Sequence, residues 1–93
     1  MIRSFADRHT ARIWDGQYVK GIDRTLQRQT LRKLEILHAA ATIEDLRVPP
    51  GNRLEALRGD RRGQHSIRVN GQWRLCFIWS DGGPEAVELV DYH

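Results

Sequence analysis

Lysine is almost missing from this 93-residue chain, cysteine occurs once, and no apolar run approaches the roughly 20 residues of a membrane span. Each scarcity excludes something. A lone Cys76 can form neither an internal disulfide nor a cysteine metal cluster, so a reducing cytoplasm is the expected location. The opening MIRSFADRHT has no apolar core of a signal peptide. Glycine-rich phosphate loops with their lysine are absent, as is a G-x-S-x-G elbow. The four histidines lack the close pairing of a zinc site, so no metal and no cofactor is expected.

What is present is arginine. Of the 15 basic residues only Lys20 and Lys33 are lysines. Between positions 53 and 74 stand Arg53, Arg58, Arg61, Arg62, Arg68 and Arg74 against Glu55 and Asp60; from 75 to 93 there are acids and no lysine or arginine. A charge run by itself commonly marks a solvated surface. Arginine in place of lysine favours a phosphate partner, because its rigid fork of donors fits phosphate oxygens and stays charged at any working pH.

A hydrophobic share of 40% and a charged share of 29% suit one globular domain spanning 1–93. Asp7 is placed to cap a helix that runs through Trp14 and stops at Gly16. From Ile22 to Ala41, the residues Ile22, Leu26, Leu34, Leu37 and Ala41 recur at helical spacing, with Thr30 between them, opposite a charged face. His9 and His38, in this half, are expected at the surface. Pro49-Pro50-Gly51 closes the helical half.

The second half reads as strands: a short one near Leu54–Leu57, one with Ile67 and Val69 inward, one from Trp73 to Trp79, and a last from Ala86 to Val90. Ile2–Phe5 is a further short edge strand. Asn70-Gly71 predicts a type I′ hairpin turn, and Asp81-Gly82-Gly83-Pro84 a second turn. The expected fold is α+β: two N-terminal helices on an antiparallel sheet, with Ile67, Val69, Trp73, Leu75, Phe77 and Trp79 facing the helices. Arg68, Arg74 and Cys76 share the opposite face.

An arginine-lined sheet face and a terminal Asp91-Tyr92-His93 suffice for metal-free RNA cleavage. A base removes the ribose 2′-OH proton, cations stabilise the phosphoryl oxygens, and an acid protonates the leaving 5′-oxygen. His93 suits the acid, because Asp91 and its own α-carboxylate both favour the imidazolium. Tyr92 is equally a half-buried aromatic or a stacking surface for a base. The plain alternative for these three residues is a frayed polar tail. They share one site only if the chain leaves its strand near Val90, since strand parity otherwise sends Tyr92 to the face opposite Asp91 and His93.

The stretch PPGNRLEALRGDRRGQHSIRVNGQWRLCFIW followed by VELVDYH resembles the HigB-type toxins of bacterial toxin–antitoxin systems, in the RelE/ParE superfamily. The L-R-G-D-R-R-G turn, the N-G-Q-W-R strand start and the D-Y-H end carry the resemblance together. It implies a RelE-like fold and a metal-independent endoribonuclease that cuts mRNA in the A site of the 70S ribosome. It also implies a helix-turn-helix antitoxin of HigA type, with operator DNA reached only through that antitoxin. By the same resemblance Arg74 matches a phosphate-binding arginine, Arg58 a basic position, and Asp91, Tyr92 and His93 a catalytic cluster. Glu55 stands where some members have histidine and is the candidate base. Arg53, Arg58, Arg61, Arg62 and Arg68 are the candidate RNA-binding residues. Two other readings remain open: a ParE-type gyrase inhibitor, and a nonenzymatic RNA- or ribosome-binding regulator.

Overall fold

The structure, a computed structural model, describes residues 1–92; His93 lies outside them. Helix α1 spans Arg8–Trp14, and the Asp7 carboxylate accepts from the Thr10 amide at 3.0 Å, satisfying one of the helix's orphan donors. Gly16, at φ +80°, lets the chain turn away after it. Helix α2 spans Arg24–Ala39. It is shorter than the expected 22–41 because Asp23 caps it, accepting from the Thr25 and Leu26 amides, and Ala40 is already extended. The apolar stripe shifts accordingly: Ala40 is buried and Ala41 exposed. His38 is also not a plain surface residue. Its ring packs 4.9 Å from Trp14, and its Nδ1 accepts from the Ile2 amide.

Four strands follow in the order β1 (Glu55–Ala56), β2 (His65–Arg68), β3 (Trp73–Ser80) and β4 (Gly83–Asp91), each antiparallel to the next. Three 3-10 turns, Ile43–Arg47, Pro50–Asn52 and Gly59–Arg61, occupy the intervening chain. The N-terminal segment closes the free edge of β4 by one parallel bridge, Phe5 to Val87. Leu34, Leu37, Leu46, Ile67, Leu75, Phe77 and Val87 are fully buried between helices and sheet, with Trp73 and Trp79 packed against them. No helix among the described residues is long and apolar enough to cross a membrane.

The hairpin at Asn70-Gly71 forms, but neither residue takes the positive φ of a type I′ turn. Instead the Asn70 side-chain oxygen accepts from the Gln72 and Trp73 amides, at 2.8 and 2.9 Å, and both Val69 and Asn70 donate to the Trp73 carbonyl. Asparagine here works through its side chain. The last strand is longer than expected. Ser80 already pairs with Gly83, so only Asp81 and Gly82 turn, and a positive φ at Ala86 interrupts β4 without ending it.

Candidate functional site

Strand parity puts Glu55, Ser66, Arg68, Arg74 and Cys76 on the sheet face away from the helices, and the register draws them together. Arg68 pairs directly with Arg74, Ser66 with Cys76, and Glu55 with Ser66. Two like charges directly opposite each other are unfavourable in a sheet. They persist here because the surrounding groups hold them. Arg74 Nε donates to Ser66 Oγ at 2.7 Å, and its Nη2 donates to the Ser66 and Arg53 carbonyls. Arg68 Nε donates to the Asn70 carbonyl at 3.1 Å. Arg74 is almost wholly buried, and its Nη1 stands 3.9 Å from the exposed Glu55 carboxylate, a loose ion pair. The fork is therefore fixed along one edge, through Nε and Nη2.

Arg53 reaches this place through a device the sequence reading missed. Asn52 is fully buried; its amide donates to the Leu46 and Val48 carbonyls, and its Oδ1 accepts from Lys33 Nζ at 2.6 Å. Burial, with Arg32 and Arg68 nearby, lowers the Lys33 pKa. This knot pins the Pro-Pro loop so that Arg53, in the left-handed region at φ 44°, turns its carbonyl to Arg74. Asparagine directly after Pro-Pro-Gly was the available signal.

A cavity of about 410 Å³ opens over these groups, lined by Arg53, Glu55, Arg68, Arg74, Asn70, Gly71, Gln72 and Tyr92. Three arginines against one carboxylate leave the lining at +2. Beside it lies a second basin of about 620 Å³, lined by Glu55, Ala56, Leu57, Arg58, Arg61 and Tyr92. Glu55 and Tyr92 border both. In the second basin Arg61 is tethered, its Nη1 donating to Gln64 and to Glu88, each at 3.1 Å. Burial works against the Arg61 charge, but the hydrogen bond to Glu88 together with the charges of Cys76, Glu88 and Tyr92 outweighs it and raises the pKa.

Of the terminal trio, Tyr92 faces the arginines. Its amide donates to the Gln72 carbonyl at 2.6 Å, and its phenol accepts from the buried Cys76 thiol at 4.0 Å. Burial first, then Cys76, pushes the Tyr92 pKa up, so the phenol keeps its proton at neutral pH. The chain does not leave the strand near Val90, because β4 continues through Asp91. Asp91 pairs with Trp73 on the other parity, accepts from Gln72 Nε2 at 3.1 and 3.2 Å, and lines neither cavity. The expected place of His93 beside Arg74 falls outside the described residues. Arg53 and Arg68 line the first cavity, Arg58 and Arg61 the second, and the exposed Arg62 neither. Asn70 and Gln72 joined the site unannounced; the N-G-Q turn marked them only as a hairpin.

Several known proteins are similar to this chain. Toxin HigB-1 of Vibrio cholerae serotype O1 is 54% identical over 61 residues, a stretch covering 66% of this chain and 64% of that protein, so the match spans just under two thirds of that relative's length. Endoribonuclease HigB of Proteus vulgaris is 27% identical over 93 residues, all of both chains. Among solved structures, a chain of the YoeB-YefM complex from Staphylococcus aureus superposes with a TM-score of 0.63 at 14% identity, covering 100% of this chain and 98% of that one, a likeness of fold. The family described as the RelE-like toxin of type II toxin–antitoxin system HigB matches residues 3–93. With its two helices on a four-stranded antiparallel sheet, the chain belongs to that family of HigB-like toxins.

Proposed function

We propose that this protein is the toxin of a type II toxin–antitoxin pair and that it cuts mRNA in the ribosomal A site without a metal. The observation that carries the reading is the opposed Arg68–Arg74 pair, set in a cavity with Arg53, Glu55 and Tyr92. Clustered cations cost energy unless an anion relieves them, and Arg74 is already oriented along one edge of its fork. Such preorganised donors stabilise charge as it develops on a phosphoryl oxygen. The name Endoribonuclease HigB of the P. vulgaris relative points the same way.

In this mechanism Glu55 takes the proton from the 2′-OH, and the 2′-oxygen attacks the adjacent phosphorus. Arg74 Nη1 binds a non-bridging oxygen while Arg53 and Arg68 hold flanking phosphates. The bond from phosphorus to the 5′-oxygen breaks and His93 supplies that oxygen with a proton, leaving a 2′,3′-cyclic phosphate and a 5′-hydroxyl. The protonated Tyr92 donates to the phosphate or stacks on a base. The partner is a HigA-type helix-turn-helix antitoxin. Family membership supports an antitoxin, and the YoeB relative was solved in complex with YefM.

The test is a map of mRNA 5′ ends in cells expressing the protein, compared with Arg74→Lys and His93→Gln. Lysine keeps the charge and loses the fork, so cleavage should fall about 10²-fold. Intact transcripts with the unaltered protein, accompanied by loss of DNA supercoiling activity, would replace this reading with gyrase inhibition.

A further inference from the structure

Asn70 holds more than its own turn. Its side-chain oxygen fixes the Gln72 and Trp73 amides, and its backbone carbonyl accepts from Arg68 Nε. The Arg68 guanidinium lies along the turn, its Nη2 at 3.6 Å from the place a Cβ on Gly71 would take. The other end of the Asn70 amide leaves the sheet: Nδ2 donates to Gln29 Oε1 at 3.1 Å. Gln29 belongs to α2, between the buried Leu26 and the buried Thr30, so a helix anchored in the core carries it. A side-chain amide engaged through both its oxygen and its nitrogen is held in one orientation, whereas one engaged at a single end can rotate.

The tether matters because Arg68 directly opposes Arg74. Arg74 is fixed by Ser66 and Arg53, so it falls to Arg68 to relieve the repulsion between them. Released from the Asn70 carbonyl, this long side chain would carry its charge out into water. We propose that Gln29 is a positioning residue for RNA binding: from the helical layer it orients Asn70, and through Asn70 it keeps Arg68 in the cavity beside Arg74. The proposal rests on the reading of that cavity as a phosphate site. Gln29 itself lines neither basin on this face, so its influence on RNA passes through Asn70 and Arg68.

The experiment follows the fluorescence anisotropy of a labelled 2′-O-methyl oligouridylate, a strand without the attacking hydroxyl, as salt is varied. The unaltered protein is compared with Arg68→Gln, Gln29→Met, Gln29→Glu and the double variant of Gln29→Met with Arg68→Gln. Affinity is expressed per folded molecule, from urea titration at each salt concentration, so lost stability cannot mimic the result. Arg68→Gln sets the scale: its slope of log K on log salt should be shallower by about 0.7, one phosphate contact. Gln29→Met removes the acceptor and keeps charge, length and helix preference, and its slope should become shallower by most of that amount. The double variant should be no shallower than Arg68→Gln alone, because both changes act on one contact. Gln29→Glu keeps an oxygen to accept from Asn70 and should hold the slope of the unaltered protein. A side chain that acted by packing alone would be replaced better by methionine than by glutamate, the reverse order. An unchanged slope in Gln29→Met, a shallower one in Gln29→Glu, or additive losses in the double variant would overturn the positioning role and leave the phosphate site standing. An unchanged slope in Arg68→Gln would overturn the phosphate reading of Arg68 and the role of Gln29 with it.

Discussion

Cys76 and Tyr92 show how a single position can be read correctly in placement and missed in meaning. Parity put Cys76 on the arginine face, where it is fully buried. What parity could not supply was its partner, because the Tyr92 phenol arrives from 16 residues away through the β3–β4 register. Burial raises the pKa of the thiol, and burial together with the thiol raises that of the phenol. A group whose folded pKa exceeds its unfolded value stabilises the fold fully below the unfolded value and loses that contribution as pH rises through the folded one. For Cys76 the loss should therefore begin near pH about 8.5, the unfolded thiol value, and continue as the pH rises, with Tyr92 adding to it above about 10. Urea unfolding followed from pH 7 to 11 should show stability falling across this window. In Cys76→Ala the fall should start later, with only the tyrosine left; an identical profile would mean that the thiol titrates alike in the folded and unfolded states.

At the scale of elements, local signals were legible where one residue does one job. Asp7 capping α1, Gly16 ending it and the alternation of β3 all follow from short-range rules. The start of α2 was misplaced because Ile22 extends the apolar spacing by one turn, whereas Asp23 decides the first helical amide. The turn at Asn70 was misread because asparagine can shape a turn through its backbone or its side chain, and sequence does not say which. The Asn52 knot was missed for a different reason: Lys33 is brought to it by tertiary packing, and the Leu46 and Val48 carbonyls reach it only through the fold of the loop between them. Asn52→Ala would strand the buried Leu46 carbonyl, the partly buried Val48 carbonyl and one ammonium. The expected cost is about 2–4 kcal/mol, at the desolvation price of each unpaired group. Because the same loop delivers the Arg53 carbonyl to Arg74, cleavage should drop by more than the loss of folded protein explains. Urea titration and cleavage assayed per folded molecule measure the two effects; a stability loss without a catalytic one would show that Arg74 is oriented by Ser66 alone.

For the whole molecule, the sequence divides into an arginine block at 53–74 and an acidic block at 75–93, and folding lays one beside the other. Blocks of opposite sign in adjacent strands might have cancelled, yet the cavity lining stays positive. Three of the four acids in the acidic block are engaged elsewhere: Glu88 with Arg61, Glu85 with the Ser80 hydroxyl, and Asp91 with Gln72 on the other parity. The net charge of +3 thus understates the field over this face. Binding to single-stranded RNA releases counterions, so log K should fall linearly with log salt by about 0.7 for each phosphate neutralised. Replacing Arg53 or Arg68 by glutamine should make that slope shallower by about 0.7 each. Arg62→Gln is the informative contrast, because the same charge change lies outside both cavities. Fluorescence anisotropy with a labelled RNA between 50 and 200 mM salt, a range of about 0.6 in log units, resolves a difference of this size. If Arg62→Gln changes the slope as much as Arg53→Gln does, the RNA follows the diffuse positive surface and not the built cavity. If only the cavity arginines change it, the backbone path runs over the Arg68–Arg74 pair.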